Sequence, residues 1–347
     1  MPTNYQSHKA SYPSRMLLLI VTFMSAFPNS SPAQTKKQEY QTALYINAAD
    51  KFVSKLDTAQ FKQRLAALFK GSTIDDWKAA KAYPMPGAVI PFKRIIAYYG
   101  NFYSKGMGIL GEIPTVEMLE KLKGEVLKWT EADPEMPAVA AIHYIAVTAQ
   151  DNPGRDGKYR LRMPEDEIYK AIELARQIDG LVFLDIQVAL STLEQELPEL
   201  EQFLQQPDVH LGIDPEYSMK GGQVPCSVIG SFDATDINYA SGYLAALVRK
   251  YKLPPKILVV HRFTMAMVTN YKMIETQPEV QLVMNMDGFG FPAKKIDSYK
   301  HAIVNEPVQF TGFKLFYKFD EYNDKSGVMS PEEVLKLKPR PVYIQYQ

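Results

Sequence analysis

Cysteine is nearly absent from this sequence: among 347 residues there is one, Cys226. That excludes a disulfide-stapled scaffold and any zinc or iron–sulfur centre built on clustered cysteines. An excess of charge is missing too, with 39 Lys and Arg against 39 Asp and Glu. A neutral balance speaks against nucleic acid as a partner. After Phe27 no apolar stretch approaches the roughly 20 residues that a bilayer-spanning helix needs. No His-x-His pair is present for a barrel-type metal hydrolase, and no Gly-x-Ser-x-Gly elbow for a serine nucleophile. What remains is 46% hydrophobic, 22% charged and 12% aromatic. This is ordinary globular composition and excludes a disordered, collagen-like or coiled-coil chain.

The first residues read as an address. Lys9 and Arg15 precede the apolar run Met16 to Phe27, and small residues Ser31 and Ala33 follow at the spacing a signal peptidase prefers. Residues 1–33 are therefore expected to be a signal peptide cleaved after Ala33, which predicts a secreted or periplasmic protein with no stable membrane insertion. Residues 34–90 are expected to be a helical N-terminal extension and linker. Leu44, Ala48 and Phe52 fall four apart, and after the candidate N-cap Asp57 the residues Phe61, Leu65 and Leu68 mark one face. Pro84, Pro86, Gly87 and Pro91 then form a loop.

From residue 91 to 347 the pattern changes to eight short apolar runs alternating with helical stretches. The runs are 94–100, 138–147, 181–187, 209–217, 256–263, 280–290, 310–317 and 340–347. Helices are expected from Thr115 as N-cap, through Ile168 and Ile172, over ELPELEQFL, through Ile237 to Leu247, from Met267 to about Thr276, from Pro292 to about Ile303, and after the cap Ser330. Near-continuous apolar strands separated by helices imply a parallel sheet buried on both faces. Eight such units are the arithmetic of a (β/α)8 TIM barrel. The runner-up, a doubly wound open sheet, calls for a glycine-rich phosphate loop after its first strand. Gly106, Gly108 and Gly111 fit G-x-G-x-x-G, but they begin well past the strand and meet a Pro114–Thr115 boundary, which argues against a dinucleotide site.

In such a barrel the chemistry lies at the C-terminal ends of the strands. Those ends are polar almost throughout. Residues two apart on a strand share a face, so Asp185 pairs with Gln187, Asp214 with Glu216, and Asn285 with Asp287. His261, Lys314, Tyr98 and Tyr346 stand at further strand ends. His143 lies deeper and reads as a core histidine, whereas His8, His210 and His301 read as peripheral. Arg155, Arg160 and Arg162 read as a solvated loop. Ionised acids inside apolar runs are costly unless paired or hydrated, and a common site explains them better than packing does. Paired carboxylates with aromatic surfaces suit glycoside hydrolysis. No cofactor is expected. A metal-dependent hydrolase using Asp185, Asp214 and Asp287 as a carboxylate-only magnesium site is an alternative.

The segment Ile213-Asp214-Pro215-Glu216 resembles the D-x-E motif of barrel glycosidases related to chitinases and lysozyme-like muramidases. That resemblance implies that Glu216 protonates the glycosidic oxygen. It also implies that Asp214 holds the acetamido group of the substrate, while Asp287, Asn285 and a tyrosine position the amino sugar. The sequence departs from the chitinase pattern upstream, where Val209 and Gly212 replace acids. Asp185 on the third strand is the candidate to stand in for them. More broadly, YYGN…GILGE, FLDIQ, GIDPEYSM, NMDGFG, GFKLFY and PRPVYIQYQ resemble a family of uncharacterised secreted bacterial barrels. The leading expectation is a glycoside hydrolase with Glu216, Asp214 and Asp185 catalytic. Asp287, Asn285, His261, Tyr98, Gln187, Lys314 and Tyr346 are expected to bind a polysaccharide or oligosaccharide. A non-catalytic carbohydrate-binding barrel is a further alternative.

Overall fold

The computed structural model describes residues 56–80, 83–320 and 327–347. The expected leader and the first expected helix of the extension lie outside the described residues. The barrel strands are β1 (Arg94–Gly100), β2 (Ala138–Ala149), β3 (Leu181–Ile186), β4 (Val209–Ile213), β5 (Lys256–Arg262), β6 (Val280–Met286), β7 (Phe310–Leu315) and β8 (Tyr343–Tyr346). Each pairs in parallel with the next, and β8 pairs with β1, so the sheet closes on itself. The protein is a (β/α)8 barrel. A short antiparallel strand, Arg160–Arg162, adds to the upper part of β2.

The described helices longer than one or two turns are α1 (Thr58–Leu68), α2 (Thr115–Ala132), α3 (Glu165–Arg176), α4 (Ala234–Tyr251) and α5 (Pro292–Tyr299). Their apolar faces follow the helical period. In α3 the buried set is Ile168, Ala171, Ile172, Leu174 and Ala175. Asp57 caps α1 by accepting from the Gln60 N–H at 3.0 Å. Thr115, expected as the N-cap of α2, is instead its first helical residue, with Pro114 in the cap position and no side-chain cap hydrogen bond.

Three further sequence expectations need correction. The helix expected over ELPELEQFL is broken into Leu193–Glu196, Pro198–Leu200 and Glu201–Leu204, because Pro198 has no N–H to continue the ladder. The helix expected from Met267 to Thr276 does not form. Val268–Thr269 instead pairs in parallel with Phe232–Asp233, and Asn270 turns with φ of 55°. Thr269 and Asn270 each donate to Asp233 Oδ2 at 2.6 Å, which fixes the extended course. His210 is not peripheral: it is buried inside β4, and its Nδ1 accepts from the Ile257 N–H at 3.1 Å.

The Gly106-x-Gly108-x-x-Gly111 loop has a packing role. A Cβ on Gly108, whose φ is +139°, would lie 2.3 Å from the Tyr99 carbonyl oxygen, and one on Gly111 would lie 2.3 Å from that of Asn101. The glycines let the loop fold back onto the end of β1. At the opposite end of the barrel, the described residues between 56 and 93 cover the strand starts. Lys78 N–H donates to Val308 O at 2.7 Å, Arg340 N–H to Leu68 O at 3.1 Å, and the Gln281 amide grips both the N–H and C=O of Ile90.

Candidate active site

A cavity of about 660 Å³ opens at the C-terminal ends of the strands. Its wall includes Tyr99, Gln187, Asp214, Glu216, Asp287 and Lys314, with Tyr217, Phe263, Phe289, Phe316 and Phe319 supplying aromatic surface. Strand β4 stops at Ile213, because Pro215 has no N–H to pair. Asp214 then caps a 3₁₀ turn, Pro215–Tyr217, and its Oδ1 accepts from the Glu216 N–H at 3.1 Å. This cap, rather than strand alternation, brings both acids to the cavity. Gly230 N–H donates to Glu216 O at 2.7 Å and fixes the turn from outside.

Asp287 follows β6 and is clamped from two sides. His261 Nδ1 lies 2.8 Å from its Oδ2, and Lys314 Nζ lies 2.8 Å from its Oδ1. Lys314 also stands 4.0 Å over the Tyr99 ring. The loop beyond Asp287 is tied down by the buried Lys295–Asp320 pair. Lys295 Nζ donates to Gly288 O at 3.0 Å, and Gly290 N–H donates to Asp320 Oδ1 at 3.0 Å.

Beneath the cavity lies a buried polar layer. Asp185 of β3 is fully buried, and its Oδ2 accepts from the Tyr99 hydroxyl at 2.9 Å. Its Oδ1 faces His143 Nε2 at 3.3 Å and His261 Nε2 at 3.5 Å. Among the described residues, the set of His, Cys, Asp and Glu side chains close enough to share a cation is His143, Asp185 and His261. The three-carboxylate set Asp185, Asp214 and Asp287 is not such a group among them. Asn285 is also fully buried, packed where a Cβ on Gly312 would come within 2.6 Å of its Oδ1.

The electrostatics follow from burial and these neighbours. Burial alone would raise Asp287, but Lys314 and His261 outweigh it and hold the carboxyl below its ordinary range. Burial likewise opposes ionisation of Asp185, yet the two imidazoles keep it low. His261 loses to burial but gains more from Asp185 and Asp287, and rises to about 10. His143 is pushed down to about 4, chiefly by burial. Glu216 is raised, first by burial and then by the negative charge of Asp287. Asp214 is raised well above its ordinary value, mainly by burial. Cys226 reaches the cavity wall, but burial and Glu216 raise its thiol, the opposite of an activated nucleophile.

The structure thus brings Asp214, Glu216, Gln187, Asp287 and Lys314 together on the cavity wall, with Asp185, His261 and Asn285 buried below. It takes Tyr98 and Tyr346 elsewhere. Both face the helix layer, with Tyr98 hydroxyl 2.9 Å from that of Tyr317, and Tyr346 hydroxyl accepting from Trp129 Nε1 at 2.9 Å. Arg160 and Arg162 are paired with Glu196 rather than free for an anion. Residues the sequence reading passed over are Phe263 and Lys294 on the wall, and His143, read from the sequence as a core histidine, is indeed buried but stands against Asp185 below the cavity. Strand alternation signals that only one of Tyr98 and Tyr99 points inward, without saying which.

No family model matches the chain, and no curated protein matches its sequence. Solved structures with a similar chain course include a GH5-4 broad specificity endoglucanase from Clostridium longisporum, at 10% identity, covering 75% of this chain and 86% of that one with a TM-score of 0.44. A protein from Cytophaga hutchinsonii shares 12% identity over 74% of this chain and 76% of that one, with a TM-score of 0.38. A ruminal GH26 endo-β-1,4-mannanase shares 12% over 74% of this chain and 59% of that one, with a TM-score of 0.36. Likeness at this distance concerns the path of the chain and assigns no role to any side chain.

Proposed function

We propose that the protein hydrolyses glycosidic bonds in an extracellular, amino-sugar-containing glycan, with Glu216 as general acid. The observation that carries this reading is the opposed ionisation of two carboxyl groups on one cavity wall. Glu216 is driven toward its protonated form, while Asp287 is held charged by Lys314 and His261. Environments that push two carboxyls apart mark an acid and a charge-stabilising partner.

In the proposed reaction Glu216 gives its proton to the glycosidic oxygen as the bond to the anomeric carbon breaks. The substrate's acetamido oxygen, oriented by Asp214, attacks that carbon from the other face. Asp287 supplies the negative charge that favours the cationic transition state. Glu216, now a carboxylate, then takes a proton from the water that opens the ring intermediate. Tyr217, Phe263 and Phe289 offer flat apolar faces for sugar rings.

On this reading Asp185, on the neighbouring strand, stands in for the acid that the chitinase pattern has at position 212. A Cβ on Gly212 would lie 2.4 Å from Asp185 Oδ1, so the Asp185 carboxylate fills the space that side chain would take. That substitution favours the catalytic reading over a binding-only barrel.

The test is turnover of peptidoglycan, chitin oligosaccharides and neutral glycans by wild type and Glu216→Gln, with and without chelator. Glu216→Gln is expected to lower kcat/KM by about 10²–10⁴-fold, the usual contribution of a general acid, while saccharide binding persists. Full activity in that variant overturns the assignment.

A further inference from the structure

The buried layer beneath the cavity is arranged in a way that hydrogen bonding does not account for. His143 Nε2, His261 Nε2 and Asp185 Oδ1 converge on one point, all are fully buried, and none has a hydrogen-bond partner. Buried polar atoms without partners are rare, and each calls for an explanation such as an ion. The two nitrogen–oxygen separations are 3.3 and 3.5 Å. A charge-assisted N–H···O bond would draw them to about 2.7–2.9 Å. Two donor atoms each about 2.1 Å from a tetrahedral zinc ion lie about 3.4 Å apart.

The surroundings fit the same occupant. His261 uses its other nitrogen in the way a metal ligand does, on a carboxylate. His261 Nδ1 is held by Asp287 Oδ2 at 2.8 Å, and His143 Nδ1 faces the Tyr343 hydroxyl at 2.5 Å. His261 Nδ1–H donates to Asp287, so displacement of the Nε2 proton by a metal turns that lone pair to the common point, while His143 Nδ1 meets the Tyr343 hydroxyl and the Gln345 amide nitrogen, the latter at 3.1 Å. Position 212, next to Asp185 in the β3–β4 register, is glycine. A Cβ there would come within 2.3 Å of His143 Nε2 and 2.4 Å of Asp185 Oδ1, so any side chain would collide with the donor atoms.

We infer that His143, Asp185 and His261 form a binding site for one divalent transition-metal ion of the zinc type. Two imidazoles and one carboxylate suit zinc, or cobalt in its place, and not magnesium or calcium, which take oxygen ligands. The site lies under the cavity floor, and its link to the chemistry above runs through the His261 ring to Asp287. The ion would fix that ring and, with it, the carboxylate on the wall. In this sense His143 and Asp185 are positioning residues.

The experiment uses the full chain, dialysed against a chelator and titrated with Zn²⁺ by calorimetry and with Co²⁺ by visible absorption. Expected are one equivalent of bound metal, a tetrahedral Co²⁺ spectrum, and a rise in Tm with Zn²⁺ concentration. His143→Gln and His261→Gln are each expected to weaken Zn²⁺ binding by at least about 100-fold, with circular dichroism reporting whether each variant folds. Imidazole resonances of the wild type, which must move on Zn²⁺ addition, give a readout that needs no variant. Absence of stoichiometric binding by the chelated wild type overturns the site, as does binding that survives both substitutions. Glu216→Gln is expected to lose turnover and keep its zinc, so failure of the metal site and failure of the hydrolase reading are told apart.

Discussion

The charge of Asp287 adds to burial in setting how tightly Glu216 holds its proton. The Glu216 carboxyl is raised by burial and by the charge opposite it, so it stays protonated above the ordinary glutamate value of 4.5. A general acid works only while protonated, so kcat/KM is expected to fall as pH rises through this raised value. Asp287→Asn removes the neighbouring charge and is expected to shift that alkaline limb to lower pH in whatever activity remains. A pH–rate profile on a chromogenic glycoside measures it, and an unmoved limb would sink the coupling. Single residues were legible in the sequence where their chemistry was out of keeping with their setting. Asp185, Asp287 and Lys314 interrupt apolar runs, and all three belong to one connected set. What a single residue could not disclose was direction. Asp185 points into the interior, and Tyr98 turns its back on the cavity, because facing depends on the tilt and register of a closed sheet.

Elements were legible to the extent that their signals are local. Parallel strands buried on both faces announce themselves as continuous apolar runs, and all eight stand where those runs are. The upper ends of the third to eighth runs were overextended, most clearly at the fourth, whereas the first run matches its strand and the second stops short of Ala149. There the run reads on to Tyr217, while Asp214 and Pro215 convert the chain to a 3₁₀ turn. The segment after β5 was illegible because its course is set by a distant group. Asp233 caps α4 by accepting from Thr235 N–H and also accepts from Thr269 and Asn270. Asp233→Ala is expected to cost about 1 kcal/mol for the lost cap, measured by chemical denaturation, and to loosen Val268–Thr269. The Thr269 hydroxyl, the Thr235 N–H and the Asn270 amide lower the Asp233 carboxyl. Its stabilising effect is therefore present above the ordinary aspartate range and disappears as pH falls through the folded-state value. A destabilisation that is the same at acid and neutral pH would contradict this.

At the scale of the molecule, the barrel is not self-sufficient at its lower end. Phe61, Leu65, Leu68, Phe69 and Trp77 are each at most 5% exposed and belong to the same core as the strands. At about 1.5–3 kcal/mol for each large buried side chain, their loss removes about 7–15 kcal/mol. That is as much as the whole stability of a typical domain. A chain beginning at residue 91 is therefore expected to be insoluble or unfolded, whereas one beginning at residue 34 is expected to melt like the full chain. Solubility, circular dichroism and thermal melts of the two truncations decide it. A stable protein from residue 91 onward would show that the extension is dispensable.

Barrels of this class usually fill their interiors with Val, Ile and Leu. Here His143, Asp185, His261, Asn285 and Gln345 occupy the upper interior instead, with Gly212 and Gly312 making room for them. Packing alone would never select that composition, since aliphatic replacements would make a sturdier shell. On the proposed reading, this layer is where the barrel gives up sturdiness to serve the cavity above it. A descendant released from its task would keep the strands and helices and let this interior drift toward hydrocarbon, holding its outline long after its chemistry had gone.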